Sequence, residues 1–135
     1  MTRVWNPTVI GAPVGKYSHL AEVPAGRRQI HISGQVGTLA DGRLAGPDAA
    51  GQTRQIFANI EQLLRSLGAG PADLVKLTSF VSGVSCLPGY YAARDEVYAD
   101  WFPDGKYPAH SLAVVAALAK PELSVEIEGI VAVPE

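Results

Sequence analysis

The carboxyl-terminal part of the chain, residues 106–130, holds most of the side chains suited to acid–base chemistry. Apolar and polar residues alternate strictly from residue 123 to 128, which predicts a β-strand with one apolar and one polar face. Glu126 and Glu128 would then share the polar face, roughly 6.5–7 Å apart. Two carboxylates at that distance need water, a cation or a ligand beside them. The polar face of this strand is therefore a candidate site.

His110 is a second candidate for proton transfer. Pro108 fixes its own φ angle and favours an extended Tyr107, so His110 is expected at the start of a strand. A histidine beside a carboxylate can shuttle protons near neutral pH, or it can simply be satisfied by a neighbouring carbonyl or by Glu126. The three histidines and the glutamate pair show no recognisable metal-ligand spacing, so no metal site is expected.

Two helices are predicted to support these residues. The first begins after Asp48, a favourable N-cap residue, and ends at Gly68, with apolar residues at helical spacing between positions 56 and 67. The second runs from Pro88 to Phe102 and is ended by a Pro-Asp-Gly turn. One side of it carries a mostly aromatic stripe, interpreted as core rather than as a cofactor site: Tyr90, Arg94, Val97, Tyr98 and Trp101.

Short alternating runs predict the strands. The runs 19–23 and 29–33 flank a turn at Gly26, which indicates a β-hairpin. Gly34 follows the second run, at a place where backbone can approach a ligand or another strand closely, or where a β-bulge lies. Asp41-Gly42 predicts a tight turn, residues 75–81 a further strand, and Lys120-Pro121 the turn between the last two strands.

Composition limits the classes of function. The chain of 135 residues fits a single domain spanning 1–135, and 47% of its residues are hydrophobic against 18% charged, so part of the apolar surface is expected to face another subunit. A net charge of −2 without a basic, aromatic-rich run argues against nucleic acid as a partner. Because no membrane-spanning run, no signal-peptide pattern and only Cys86 are found, we expect a cytoplasmic protein that does not contact a membrane.

The order of the predicted elements favours an α+β fold. Helices segregated onto one face of a mixed sheet bury that face economically. The opposite face, with Glu126 and Glu128, must then be covered by something else. Subunit association is the simplest cover for a chain with few spare elements.

Several segments, in order along nearly the whole chain, resemble the RidA/YjgF family. They are Gly15-Lys-Tyr-Ser18, Ile32-Ser-Gly-Gln35, Gln52-Thr-Arg-Gln55 with Asn59 and Ile60, Val75-Lys-Leu-Thr78, Glu96-Val-Tyr98, Tyr107-Pro-Ala109 and Val125-Glu-Ile-Glu128. The resemblance implies a chorismate-mutase-like mixed sheet of about six strands with two helices on one face. It also implies a homotrimer with small-molecule clefts between subunits, and hydrolysis of enamines or imines to a carbonyl and ammonia without metal or cofactor.

The resemblance also implies roles for individual residues. Tyr17 would line the cleft, Ser33 and Gly34 would shape its wall, and Glu126 would hold the attacking water. The family signature Pro-Ala-Arg-Ser carries an arginine that pairs with the substrate carboxylate, but here His110 takes that position. An imidazole offers one donor per nitrogen and is mostly neutral at pH 7, so it does not replace a guanidinium.

Two further positions depart from the family pattern: Asp95 stands where Asn is frequent, and Leu112 where Cys is common. The predicted catalytic residues are Glu126, His110 and Tyr17. The predicted substrate-binding residues are Tyr17, Ser33, Gly34, Asp95, His110 and Leu112.

Two functions remain open at this point. One is an enamine or imine deaminase whose substrate differs from the usual 2-imino acids. The other is a non-catalytic, ligand-binding or regulatory trimer of the same fold, which the missing arginine would also explain. Ribonuclease activity, sometimes attached to the family's name, fits poorly with the acidic charge balance.

Overall fold

The computed structural model describes residues 1–135 and contains six β-strands and two α-helices. The strands are β1 (Arg3–Trp5), β2 (Leu20–Glu22), β3 (Arg27–Gln35), β4 (Leu74–Ser82), β5 (Ala109–Val115) and β6 (Val125–Pro134). The helices are α1 (Ala49–Ser66) and α2 (Leu87–Trp101), and short 3-10 turns precede β4 and α2. Neither helix is both long enough and apolar enough to cross a membrane.

A four-stranded sheet in the order β3-β6-β4-β5 forms the centre of the molecule. Strand β6 runs antiparallel to both of its neighbours, whereas β4 and β5 are parallel and are connected through α2. Strands β1 and β2 form a separate antiparallel ribbon. The predicted α+β class with six strands and two helices is confirmed, with the strands divided between two sheets.

The hairpin predicted from residues 19–33 is wrong. Strand β2 pairs with β1, and β3 pairs with β6 over most of its length, so the turn at Gly26 joins two different sheets. The physical reason is burial: Ile32 of β3 lies opposite Gly129 of β6 and belongs to the main core. Pairing β3 with the three-residue β2 instead would withdraw that side chain from the core.

Both helices lie on one face of the sheet. Four side chains of α1 and four of the central strands meet there and are almost completely buried: Ile56, Phe57, Ile60, Leu64, Leu77, Val81, Val125 and Ile127. The predicted ends of α1 are also confirmed, because Asp48 is its N-cap residue and Gly68, with φ of +67°, follows its last turn. The apolar stripe of this helix therefore fixes which face of the sheet is covered.

The opposite face of the sheet has no covering element, and we call it the open face. The predicted alternation in β6 is confirmed: Val125 and Ile127 are fully buried against the helices, whereas Glu126 is half-buried and Glu128 exposed. By strand pairing, Phe80 lies beside Glu126 and Thr78 beside Glu128 on the open face. The exposed residues Ser111 and Ala113 of β5 continue this face toward the sheet edge.

Candidate functional site

A cavity of about 330 Å³ lies where α2, the edge strand β5 and the loop before β2 meet. Its lining residues are Val14, Gly15, Lys16, Tyr17, Tyr91, Arg94, His110 and Leu112. The volume is at the small end of the range for ligand pockets, which fits a small metabolite. Three predicted site residues, Tyr17, His110 and Leu112, are thus brought together in one cavity.

Tyr17 is held at the rim of this cavity by the loop around it. The backbone N–H of Val14 donates to the Tyr17 hydroxyl at 3.3 Å, and the Tyr17 ring meets the edge of His19. Ser18 is buried and ties the loop to the segment before β5, because its hydroxyl donates to the Tyr107 carbonyl at 2.6 Å. The loop therefore places Tyr17 beside the start of β5.

His110 lies on the helix-covered face of the sheet, where it contacts two hydroxyl groups. Its Nε2 is 3.0 Å from Oγ of Ser79 and 3.4 Å from the hydroxyl of Tyr90, and Tyr90 donates to Ser79 at 2.8 Å. Burial, together with the positive charges of Arg94 and Lys76, lowers the pKa of His110 to about 4. His110 is therefore a neutral imidazole at pH 7.

Glu126 is not a neighbour of His110 within the protomer, which corrects one interpretation of this histidine. In the strand pairing His110 matches Leu77 on the helix-covered face, whereas Glu126 matches Phe80 on the open face. Side chains on opposite faces of a sheet do not meet. The groups that satisfy His110 are the hydroxyls of Ser79 and Tyr90.

Gly34 and Glu126 form a second group of predicted site residues on the open face, whereas Ser33 borders a shallow pocket with Leu63 and Ser66 of α1. The register between β3 and β6 shifts between Ile32 and Gln35, as expected for a β-bulge. A Cβ atom built at Gly34 would overlap the carboxylate of Glu126, so the backbone of Gly34 approaches that side chain closely. Only a glycine leaves room for this carboxylate in its observed position.

Asp95 lies outside the lining of the cavity and holds two cations at its rim. Its Oδ1 accepts hydrogen bonds from Nε and Nη2 of Arg94 at 3.1 and 2.8 Å, and it is 3.3 Å from Nζ of Lys16. Burial disfavours its charged form, but the hydrogen bonds and charges of Arg94 and Lys16 prevail and lower the pKa of Asp95. Its contact with substrate remains a prediction.

Arg94 is the cavity residue that the sequence reasoning missed as functional. It was placed in the core stripe of α2, and at 8% exposure it is indeed buried, but its guanidinium borders the cavity. A charge among apolar residues was the available signal, because a buried arginine must be paired or face a polar space. No group of three or more His, Cys, Asp or Glu side chains is arranged to hold a metal ion.

Sequence comparison supports the relationship that the motifs indicate. The profile of the family described as endoribonuclease L-PSP matches residues 9–133. The chain belongs to the RidA/YjgF family.

Relatives within the RidA/YjgF family cover almost the full length of the chain. A RutC family protein of Pyrococcus horikoshii is 33% identical over 87% of each chain. The 2-iminobutanoate/2-iminopropanoate deaminase of goat, Capra hircus, is 32% identical over 95% of this chain and 88% of its own. Among solved structures, the Rid-family protein YyfB of Yersinia pestis is 36% identical over 98% of both chains, with a TM-score of 0.85.

Proposed function

We propose that the protein hydrolyses an enamine or imine intermediate to a carbonyl compound and ammonia, in clefts between the subunits of a homotrimer. The observation that carries this proposal is the division of the site residues. Tyr17, His110 and Leu112 border the cavity beside β5, whereas Glu126 lies on the open face with Gly34 against it. If the open face of a second copy packs against the β5 edge of the first, Glu126 of the second copy and Tyr17, His110 and Leu112 of the first would lie in the same cleft.

The chemistry assigns Glu126 to the attacking water. The carboxylate accepts a proton from water while the water oxygen forms a bond to the carbon of the protonated C=N group. The proton then passes from Glu126 to the nitrogen of the resulting aminoalcohol; the C–N bond breaks as the hydroxyl group gives its proton to the carboxylate or to water, which releases ammonia and leaves the carbonyl. The close approach of the Gly34 backbone to the Glu126 carboxylate supports this role, because it restricts where the carboxylate can lie on the open face.

The substrate is proposed to differ from the usual 2-imino acids. Position 110 carries a neutral, half-buried imidazole whose Nε2 is already engaged by Ser79 and Tyr90. It therefore offers neither the charge nor the paired donors that an arginine at this position offers a carboxylate. Support for the reaction class comes from the similarity to the goat 2-iminobutanoate/2-iminopropanoate deaminase.

The decisive experiment measures ammonia release from freshly generated imines, both derived from amino acids and lacking a carboxylate, with free lysine as a control for spontaneous hydrolysis. Turnover of any member should be abolished by Glu126→Gln, which removes the proton acceptor at nearly constant volume. Glu128→Gln is the matched control, because it makes the same change two residues away on the same strand face. Undiminished turnover by Glu126→Gln would contradict the assignment of the water-binding role.

A non-catalytic ligand-binding trimer is the second candidate, and the environment of His110 favours it. A neutral imidazole engaged by two hydroxyls stabilises the cavity wall without offering a proton at neutral pH. Saturable binding of small ligands without ammonia release across the whole panel would select this function.

A further inference from the structure

The guanidinium of Arg94 is held rigidly at the wall of the cavity. Nε and Nη2 both donate to one oxygen of Asp95, the next residue on α2. The Arg94 Cζ atom also lies 4.9 Å from the ring centroid of Tyr91 and 5.5 Å from that of Tyr98. Cation–π contacts of this kind orient an arginine before any ligand arrives.

The guanidinium also lies close to the Tyr90 hydroxyl, but Nη1 makes no hydrogen bond of full geometry within the protein. The hydrogen bonds of Arg94 use Nε and Nη2, and none comes from Nη1. The only fully buried side-chain nitrogen or oxygen without a hydrogen-bond partner is Oγ1 of Thr53, so Nη1 is not sealed from solvent. Because Arg94 borders the cavity, the cavity gives an acceptor a path to this free donor.

The charge around the cavity favours a monoanion. Arg94 and Lys16 contribute two positive charges and Asp95 contributes one negative charge, while His110 is neutral, so the sum is one positive charge. The remaining walls are largely apolar or aromatic, from Val14, Tyr17, Tyr91 and Leu112. A small ligand with one carboxylate and an apolar body complements both properties.

We propose that Arg94 is the anion-binding residue of this cavity and that the cavity takes a small organic monocarboxylate. The carboxylate would accept from Nη1 of Arg94 with Lys16 nearby, so the anion is held from α2 rather than from β5. This inference rests on the proposed function and names its ligand class: a monocarboxylate that carries its anion at a different place, relative to the reacting carbon, than a 2-imino acid does. It places the functional cation 16 positions before His110 in the chain.

Binding of stable probes tests the proposal independently of turnover. Butyrate and benzoate would be titrated against the intact protein, with butyramide and benzamide as uncharged isosteres and inorganic phosphate as a general anion. NMR shift changes should map to residues 14–17 and 91–94 for the carboxylates. The amides should bind at least about tenfold more weakly, since a hydrogen bond to a charged partner contributes about one to two decades of affinity.

Arg94→Met removes the cation at similar length and should weaken butyrate binding about ten- to a hundredfold. Arg54→Met is the matched control, because Arg54 of α1 makes a similar ion pair with Glu96 on the outer surface, away from the cavity. Arg94→Lys keeps the charge but loses the planar fork and should give an intermediate affinity. If Arg94→Met does not fold, the comparison of butyrate with butyramide on the unaltered protein still decides the question.

Three results with the carboxylate and amide probes and the arginine variants would overturn the proposal. They are equal binding of amides and carboxylates, an equal loss of affinity in Arg54→Met, and no carboxylate binding at millimolar concentrations. Preferential binding of phosphate would replace the carboxylate by a different anion and would equally contradict it. If ammonia is released only from carboxylate-free imines, this inference is wrong and the proposed function is supported. If carboxylates bind but no imine is hydrolysed, the proposed function is wrong and this inference is supported.

Discussion

The hydroxyl oxygen of Ser79 lies 3.0 Å from Nε2 of His110 and accepts a 2.8 Å hydrogen bond from Tyr90. Burial raises the pKa of Tyr90, so its hydroxyl stays a donor throughout the neutral range. Ser79 keeps its own O–H while it accepts from Tyr90, so it can donate to an unprotonated Nε2; the imidazole proton is then on Nδ1. This arrangement suits a neutral His110, which is the state that the lowered pKa of His110 favours at pH 7.

Stability should therefore fall as the pH is lowered through a defined window. The pKa of His110 is about 4 in the folded protein against 6.5 for an unperturbed histidine, so between these values the unfolded chain binds more protons. The contribution of His110 to the free energy of unfolding is complete above pH 6.5. It decreases as the pH falls toward 4, by up to about 3 kcal/mol. Denaturant unfolding between pH 4 and 6.5 should show the free energy of unfolding rising with pH, and His110→Gln should reduce this dependence. An equal pH dependence in both proteins would contradict the lowered pKa of His110.

An arginine at position 110 should be poorly tolerated while Arg94 is present. The charge of Arg94 already disfavours a cation at His110, so His110→Arg should destabilise the protein by about 1–3 kcal/mol. Adding Arg94→Met should recover much of that loss, because one cation then remains. The double variant should also gain activity on small 2-imino acids, since the charged fork has moved to β5.

Unfolding free energies of the unaltered protein, both single variants and the double variant form a double-mutant cycle. A coupling energy near zero would mean that the two positions do not share the cavity in the way the structure describes. A stable double variant without any gain on 2-imino acids would show that other residues, such as Leu112, decide substrate choice.

Gly34→Ala should remove turnover while keeping the fold. The added Cβ would overlap the Glu126 carboxylate, which is the flexible end of its side chain and can swing away at modest cost. The water-binding group would then be displaced, so kcat should fall toward the value of Glu126→Gln with little change in melting temperature. Gly11→Ala is the control, because a Cβ there meets nothing within 4 Å. Full activity in Gly34→Ala would show that the observed position of the carboxylate is not required.

The proposed assembly predicts a trimer that depends on the open face. Ala113→Arg introduces a long cation at an exposed open-face position beside Phe80 and should dissociate the trimer. Ala99→Arg makes the same change at an exposed position of α2 and should leave the trimer intact. Sedimentation equilibrium distinguishes the states, and a monomer of the unaltered protein at micromolar concentration would exclude the intersubunit cleft.

Local patterns were sufficient to locate the helices and the polar face of β6. The helical spacing of Ile56, Ile60 and Leu64 and the twofold alternation around Glu126 each follow from one element, so no partner strand is needed to recognise them. The pairing of β2 and β3 was not recoverable in this way. It depends on which strand offers the larger apolar face, and that is decided by residues about a hundred positions away, in β6.

Only part of the cavity lining could be predicted from the sequence. Tyr17, His110 and Leu112 were found through motifs that stand at matching places in the family. Arg94 belongs to no such motif, and its spacing from Tyr90 and Tyr98 is that of a core residue. Only the fold shows that this inward-facing side chain ends at an opening rather than among apolar atoms.

The separation of Glu126 from Tyr17 by the thickness of the sheet has a genetic consequence. If each cleft takes its carboxylate from one copy and its tyrosine from the next, two inactive variants that damage different halves can repair each other in mixed trimers. In trimers formed from an equal mixture of Glu126→Gln and Tyr17→Phe chains, about a quarter of the clefts would be intact. Each of these clefts takes its glutamate from a Tyr17→Phe chain and its tyrosine from a Glu126→Gln chain. Two alleles that each fail alone would then restore function when expressed together in one cell.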